Sequence, residues 1–307
     1  MSVHSNKMIV GLGEVLWDIY REKRYVGGAP ANVALHASYL GEQGVIASRI
    51  GNDGLGSELA RTIASKGLST DYLQIDKKKG TGTVVIRLDV RGVPSFICNE
   101  DVAFDYLEYT PDFGELAEKA DAVVFGTLAQ RSDKSRKTIL TFLEKCSGLR
   151  VMDVNARTAG RRFEEILKNA LPFVDILKVS EDEIRLMMRV LHHEGEKLTT
   201  FADWLIDHYQ FKFIALTRGE RDSVVFVKND HFVVPSYPIK PIDTTGAGDA
   251  FTAGLLVHYL RGKTPPQAQE FASKMAAFVC MHRGATPTLT ESAVESFISS
   301  TIESDSE

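Results

Sequence analysis

Short apolar or β-branched runs alternate with longer segments of helical spacing along most of this chain, and few architectures accept such an order. Strands are predicted over 8–13, 45–49, 122–125, 151–154, 174–179 and 213–217, and helices over 31–40, 55–66, 134–145, 181–190 and 201–208. A strand, a helix and a second strand make a βαβ unit with a right-handed crossover, so the helices fall on both faces of a largely parallel sheet. Two stretches break the alternation. Residues 81–98, with TVVIRLDV and VPSFIC around Arg91-Gly92, read as a hairpin, and 223–235 as a second one turning at Asn229-Asp230. From 247 onward the spacing predicts three helices, in DAFTAGLLVHYLRG, PPQAQEFASKMAAFVCMH and TESAVESFISSTIE. The first hairpin is the better candidate for a small sheet projecting from the main body.

Composition removes several function classes. A formal charge of −5, with no long run of one sign, lacks the basic footprint of a nucleic-acid binder, so the expected partner is a small molecule. The cysteines Cys98, Cys146 and Cys280 are far apart and form no CxxC pair, which argues against a disulfide framework or a zinc site and fits a reducing cytoplasm. The apolar stretch at 8–12 is too short for a secretory signal, and no later run approaches the ~20 residues that span a bilayer. A cytoplasmic protein without a membrane role is expected. At 307 residues, with no internal repeat or low-complexity linker, length leaves the domain count open between one large domain over 1–307 and two modest ones.

Three motifs fail on inspection. Gly11-Leu12-Gly13 follows a strand, but Leu16 stands where a dinucleotide fingerprint needs its third glycine. Gly262-Lys263-Thr264 looks like the end of a P-loop, but the glycine required five positions earlier is Val257. His192-His193 are neighbours that would point about 100° apart on a helix, so they read as solvated side chains and not as metal ligands.

Asp243-Thr244-Thr245-Gly246-Ala247-Gly248-Asp249 stands directly before a strongly helical segment. Glycines where a loop meets a helix N-terminus expose backbone N–H groups and a positive dipole end, which attract phosphate. Helix capping by Thr245 or Asp249 explains the same string, and these residues alone leave both readings open.

DTTGAGDAF at 243–251 closely resembles the C-terminal signature of the ribokinase-like (PfkB) sugar kinases, and GGAPANVA at 27–34 resembles their N-terminal sugar-binding signature. GEVLWD at 13–18, RIGNDGLG at 49–56, DVNAR at 153–157 and TRGE at 217–220 fall in the family's order, so the likeness covers nearly the whole chain. It implies a ribokinase-like α/β fold: a mostly parallel central sheet with helices on both faces, plus a small β lid formed by about 14–26 and 81–100. It implies an ATP-dependent kinase with Asp249 as catalytic base and the amides of Gly246, Ala247 and Gly248 as an anion hole. Asp18, Gly27, Gly28 and Asn32 would bind the sugar, with Arg157 reaching a sugar or phosphate group. Thr217 and Gly219, together with Gly246 and Gly248, would hold the nucleotide. Asp222 stands where relatives often have glycine, a local departure near the nucleotide.

Many relatives carry Asn-x-x-Glu, whose glutamate orders Mg²⁺ and its waters. Here Ser180 replaces the asparagine and Glu183 remains, so Glu183 is expected to act indirectly on the metal, and equally to close a capping box with Ser180. A K⁺ site would involve Asp243, Thr245 and Gly284. GGAPANVA, GEVLWD and DVNAR resemble fructokinases most, which implies fructose going to fructose 6-phosphate. The alternatives are a kinase for ribose, 2-keto-3-deoxygluconate or another sugar, and a non-catalytic, kinase-derived regulatory protein. Specificity would rest on the hairpin, with Arg87 and Phe96 as candidates, and the lid would also form a homodimer contact.

Overall fold

A strand buried on both faces must be apolar at successive positions, and β1 (Met8–Leu12) reads that way. Val10 and Leu12 enter one apolar cluster with Phe125 and Leu177, whereas Ile9 enters another with Val124 and Ile176. The computed structural model describes residues 6–20, 23–88, 94–156 and 161–304. After β1 come β2 (Leu16–Tyr20), β3 (Lys23–Gly27), α1 (Ala29–Tyr39), β4 (Gln43–Gly51), α2 (Gly54–Ser65), β5 (Leu73–Asp76), β6 (Thr83–Leu88) and β7 (Pro94–Cys98). The chain continues through α3 (Pro111–Lys119), β8 (Ala122–Phe125), α4 (Asp133–Lys145), β9 (Leu149–Asp153), α5 (Arg161–Ala170), β10 (Ile176–Ser180), α6 (Glu181–Val190) and α7 (Leu198–Tyr209). It ends with β11 (Phe213–Thr217), β12 (Asp222–Val227), β13 (Asp230–Pro235), α8 (Ala247–Leu260), α9 (Pro265–Cys280) and α10 (Glu291–Ser304).

Nine strands form one sheet in the order β13-β12-β11-β10-β9-β8-β1-β4-β5. All neighbours from β11 to β5 run parallel, and only β12 and β13 are antiparallel. One face carries Phe113, Phe142, Phe163, Met187 and Phe201 from α3 to α7. The other carries Val33, Phe251 and Phe271 from α1, α8 and α9. Each such side chain contributes about 1.5–3 kcal/mol when fully buried, so both faces are needed to hold the sheet. From β1 the chain steps to β4 and β5 on one side, then returns to β8 on the other. Ligands of open α/β sheets collect outside the carboxyl ends of the strands at such a reversal.

A second sheet has the order β3-β2-β6-β7. The hairpin expected over 81–98 is therefore not isolated, because β6 also pairs in parallel with β2. Two anchors tie this sheet to the body. Trp17 donates from Nε1 to the Leu55 carbonyl at 3.0 Å. Asp53 caps α2 through the Gly56 amide, and its carboxylate also accepts the Thr81 amide and hydroxyl at 2.8 and 2.7 Å. Arg87 and Phe96 sit on β6 and β7, and the Arg91-Gly92 turn lies outside the described residues.

The expected strands and helices are all present, with ends shifted by a few residues. The second hairpin turns one residue earlier than expected. Val227 pairs with Asp230, so Lys228 and Asn229 form the loop, and Asn229 takes the left-handed conformation at φ 60°. Strands β2, β3 and β5 and helices α3 and α5 had no strand or helix assignment from spacing. Among the described residues no helix is long and apolar enough to cross a membrane.

Candidate active site

A cavity of about 1690 Å³ opens at the carboxyl ends of the central strands. Sites for one drug-sized ligand run ~300–1000 Å³, so this space can hold two substrates end to end. Its floor comes from strand register. β9 and β10 are neighbours, and their pairing sets Lys178 beside Asp153. Side chains alternate between faces, so these two charges follow Val151 and Ile176 on the face covered by α8. Lys178 Nζ donates to Asp153 Oδ1 at 3.2 Å, with the side chains 7% and 3% exposed. Thr252 of α8 donates to Asp153 Oδ2 at 2.8 Å. Burial works against the Lys178 charge, but the carboxylates of Asp153, Glu183 and Asp249 outweigh it and hold the ammonium above its usual pKa.

Above this pair, Gly246 opens α8 in the left-handed conformation at φ 78°, and no side chain caps the helix. The first amides of a helix have no partner within it, which leaves the turn ready for an anion. Space is tight here. A Cβ at Gly246 would fall 2.5 Å from the Ala285 backbone, and one at Gly248 would fall 2.9 Å from Lys178 Nζ. Asp243 fastens the turn by accepting the Thr245 amide and the Gly284 amide, both at 2.9 Å. Burial alone would raise the Asp243 pKa, but the Gly284 and Thr245 hydrogen bonds prevail and hold it below the usual carboxylate range.

Asp249 lies in the first turn of α8, and its Oδ2 accepts a hydrogen bond from Asn32 Nδ2 at 2.7 Å. Asn32 is 4% exposed, and its Oδ1 has no partner among the described residues. Asp18 lines the cavity from β2. A Cβ at Gly27 would fall 2.2 Å from Asp18 Oδ2, and one at Gly28, where φ is 104°, would fall 2.5 Å from the Glu14 carbonyl oxygen. These glycines let the strand carrying Asp18 close over the start of α1.

At the other end, Thr217 lines the cavity at the end of β11. Gly219, with φ 62°, shapes the following turn but is not among the lining residues. The departure at Asp222 is compensated, because its carboxylate accepts a forked pair of hydrogen bonds from Arg218. Glu183 accepts the Ser180 amide at 2.8 Å, the expected capping geometry, and the Ala156 amide at 2.7 Å. Arg157 lies outside the described residues. Lys178, Asn155, Arg131 and Arg283 line the cavity without having been singled out from sequence. Lys178 left a signal as the lone charge in the strand ILKVS, and Asn155 lies within the DVNAR stretch.

The pattern of pfkB family carbohydrate kinases matches residues 12–292. The chain belongs to that family. This pfkB kinase is 33% identical over 302 residues to the uncharacterized sugar kinase PH1459 of Pyrococcus horikoshii, covering 92% of each chain. The crystal structure of that protein superposes with a TM-score of 0.76 over 95% of this chain and 97% of the other. A fructokinase of Escherichia coli is 29% identical over 236 residues, 75% of each chain. Xylella fastidiosa fructokinase with bound ATP, at 20% identity, shares the fold with a TM-score of 0.84 over 99% of this chain and 100% of that one. The fold is thus the ribokinase-like α/β architecture, and the protein is a sugar kinase.

One turn along α1 from Asn32, the buried His36 meets the Ala285 carbonyl through Nε2 at 3.0 Å, which requires the hydrogen on Nε2. Burial lowers its pKa from 6.5 to about 4, although the Ala285 bond opposes this. Because the folded value is depressed, the unfolded chain takes up the proton first as pH falls below 6.5. Stability is therefore full above that pH and declines toward pH 4 by up to about 3 kcal/mol. Thermal midpoints of the parent should fall more steeply between pH 6.5 and 4.5 than those of His36→Gln. Equal slopes would assign the acid loss to other groups.

Proposed function

We propose that this kinase transfers the γ-phosphate of ATP to fructose, giving fructose 6-phosphate. The observation that carries the reading is the Asn32–Asp249 hydrogen bond, which joins the expected sugar-binding helix to the expected base inside one cavity. In the proposed reaction Asp249 accepts the proton of a sugar hydroxyl, whose oxygen bonds to the γ-phosphorus as the bond to the β-phosphate oxygen breaks. The amides at the start of α8 hold the phosphoryl oxygens, and Asp18 and Asn32 bind the sugar hydroxyls. Thr217 faces the nucleotide, and the four-stranded sheet covers the sugar as a lid.

ATP is favoured as donor because PH1459 has also been solved in complex with ATP, at 29% identity and a TM-score of 0.75. Among the described residues no cluster of His, Cys, Asp or Glu could cage a metal. That suits Mg²⁺, which keeps several waters and binds chiefly through nucleotide phosphates. It would neutralise phosphate charge, with Glu183 meeting it through water. Fructose is favoured over other sugars by the likeness to fructokinases.

The test is ADP release with Mg²⁺ and ATP, offering fructose, ribose, 2-keto-3-deoxygluconate and other ketoses and aldoses in turn. Fructose should give the highest kcat/KM. A higher value with another sugar would move the substrate, and release with none would favour a non-catalytic protein built on a kinase fold.

A further inference from the structure

We infer that Lys178 is a further catalytic residue, whose ammonium reaches the transferring phosphoryl group past the side-chain-free position at Gly248. The inference rests on the ATP reading above and adds a specific cationic contact to it.

The site is built from both layers of the fold. Lys178 sits in β10 among Ile176, Leu177 and Val179, all of them buried core residues. An ammonium in that setting loses its water and is tolerated only with a partner. Asp153 supplies the partner, but an ammonium has three donors, and among the described residues Nζ donates only to Asp153. The same side chain lines the cavity together with Gly246, Gly248 and Asp249. Its Nζ would lie 2.9 Å from a Cβ placed on Gly248, so the missing side chain is what opens the way between ammonium and turn.

Asp153, Glu183 and Asp249 all act on Lys178 and keep its ammonium charged, so it can still donate when an anion arrives. A lysine present only to neutralise Asp153 would need neither the cavity nor the gap at Gly248. An anion entering over the α8 amides would meet those N–H groups from one side and Nζ from below. As the bond from the γ-phosphorus to the bridging oxygen breaks and the bond to the sugar oxygen forms, Lys178 keeps its proton and donates hydrogen bonds to the phosphoryl oxygens. Asp249 alone takes the hydroxyl proton.

The test removes the charge without stranding its partner, using Lys178→Met combined with Asp153→Asn. The double variant should keep the parent's thermal midpoint and sugar affinity, while turnover falls by about 10²–10³-fold, as for loss of an oxyanion donor. Its affinity for a non-hydrolysable ATP analogue should fall ~10-fold or more while ADP affinity holds, the loss expected for one charged hydrogen bond. Turnover within a few-fold of the parent, or equal losses for the two nucleotides, would reduce Lys178 to a counterion of Asp153. Should the variant not fold, a crystal structure of the unaltered protein with sugar and the ATP analogue decides. Nζ within hydrogen-bond distance of a γ-phosphate oxygen supports the contact, and Nζ turned wholly to Asp153 overturns it. If the unaltered protein neither binds ATP nor releases ADP with any sugar, the ATP reading itself has failed.

Discussion

Asp249→Asn is expected to lower maximal turnover by about 10²–10⁴-fold, the usual contribution of a general base, while leaving the fold in place. The asparagine matches the aspartate in size, and its carbonyl oxygen can still accept the hydrogen bond that Asn32 Nδ2 now gives to Oδ2 at 2.7 Å. What it cannot do is take a proton from a sugar hydroxyl. The alternative assigns Asp249 to helix capping, and no side chain caps α8 in the structure. Maximal rate and thermal midpoint should be measured on the same preparation. A variant with the parent's midpoint and near-parental turnover would remove Asp249 from the chemistry.

Gly246→Val should cost about as much activity by a different route. At φ 78° an L side chain is strained by about 1–2 kcal/mol, and its Cβ would fall 2.5 Å from the Cα and carbonyl oxygen of Ala285. Backbone must move, and the amides of Ala247 and Gly248 move with it. Losing one well-placed donor to a developing negative charge costs ~10²–10³-fold in rate. The core under α8 does not involve Gly246, so the thermal midpoint should drop by only a few degrees and sugar binding should persist. Unchanged kinetics in the folded variant would take the anion hole away from this turn.

Where the two substitutions act shows which contacts were readable in the chain. The glycines before α8 and the carboxylate after them are adjacent in sequence, so a loop meeting a helix N-terminus was legible without any tertiary contact. Glu183 and Ser180 were legible as a capping pair for the same reason. Gly219 was matched by motif, but the structure leaves it outside the cavity, because a left-handed turn glycine shapes the backbone whether or not a ligand is near. The small sheet was only half visible. The hairpin of β6 and β7 follows from alternation, but the parallel pairing of β2 with β6 joins segments far apart in the chain. Strands β2, β3 and β5 mix charged and polar residues into LWDIY, KRYVG and LQID, so they lack the apolar run that marks β1 and β8 at similar length.

The sequence by itself determined the alternating α/β architecture, the helical stretch from 247 onward and the phosphate-suited turn, because each is written in spacing over a few consecutive residues. Tertiary structure decided how the site is assembled. Asn32 and Asp249, 217 residues apart, meet only because α1 and α8 cover the same face of the sheet. Lys178 and Asp153 face each other only because β9 and β10 are neighbours in one register, since a slip by one residue would turn each side chain to the opposite face. Periodicity fixes which side of its own element a residue occupies. It carries no information about which other element that side will meet, and the chemistry of this kinase lies in those meetings.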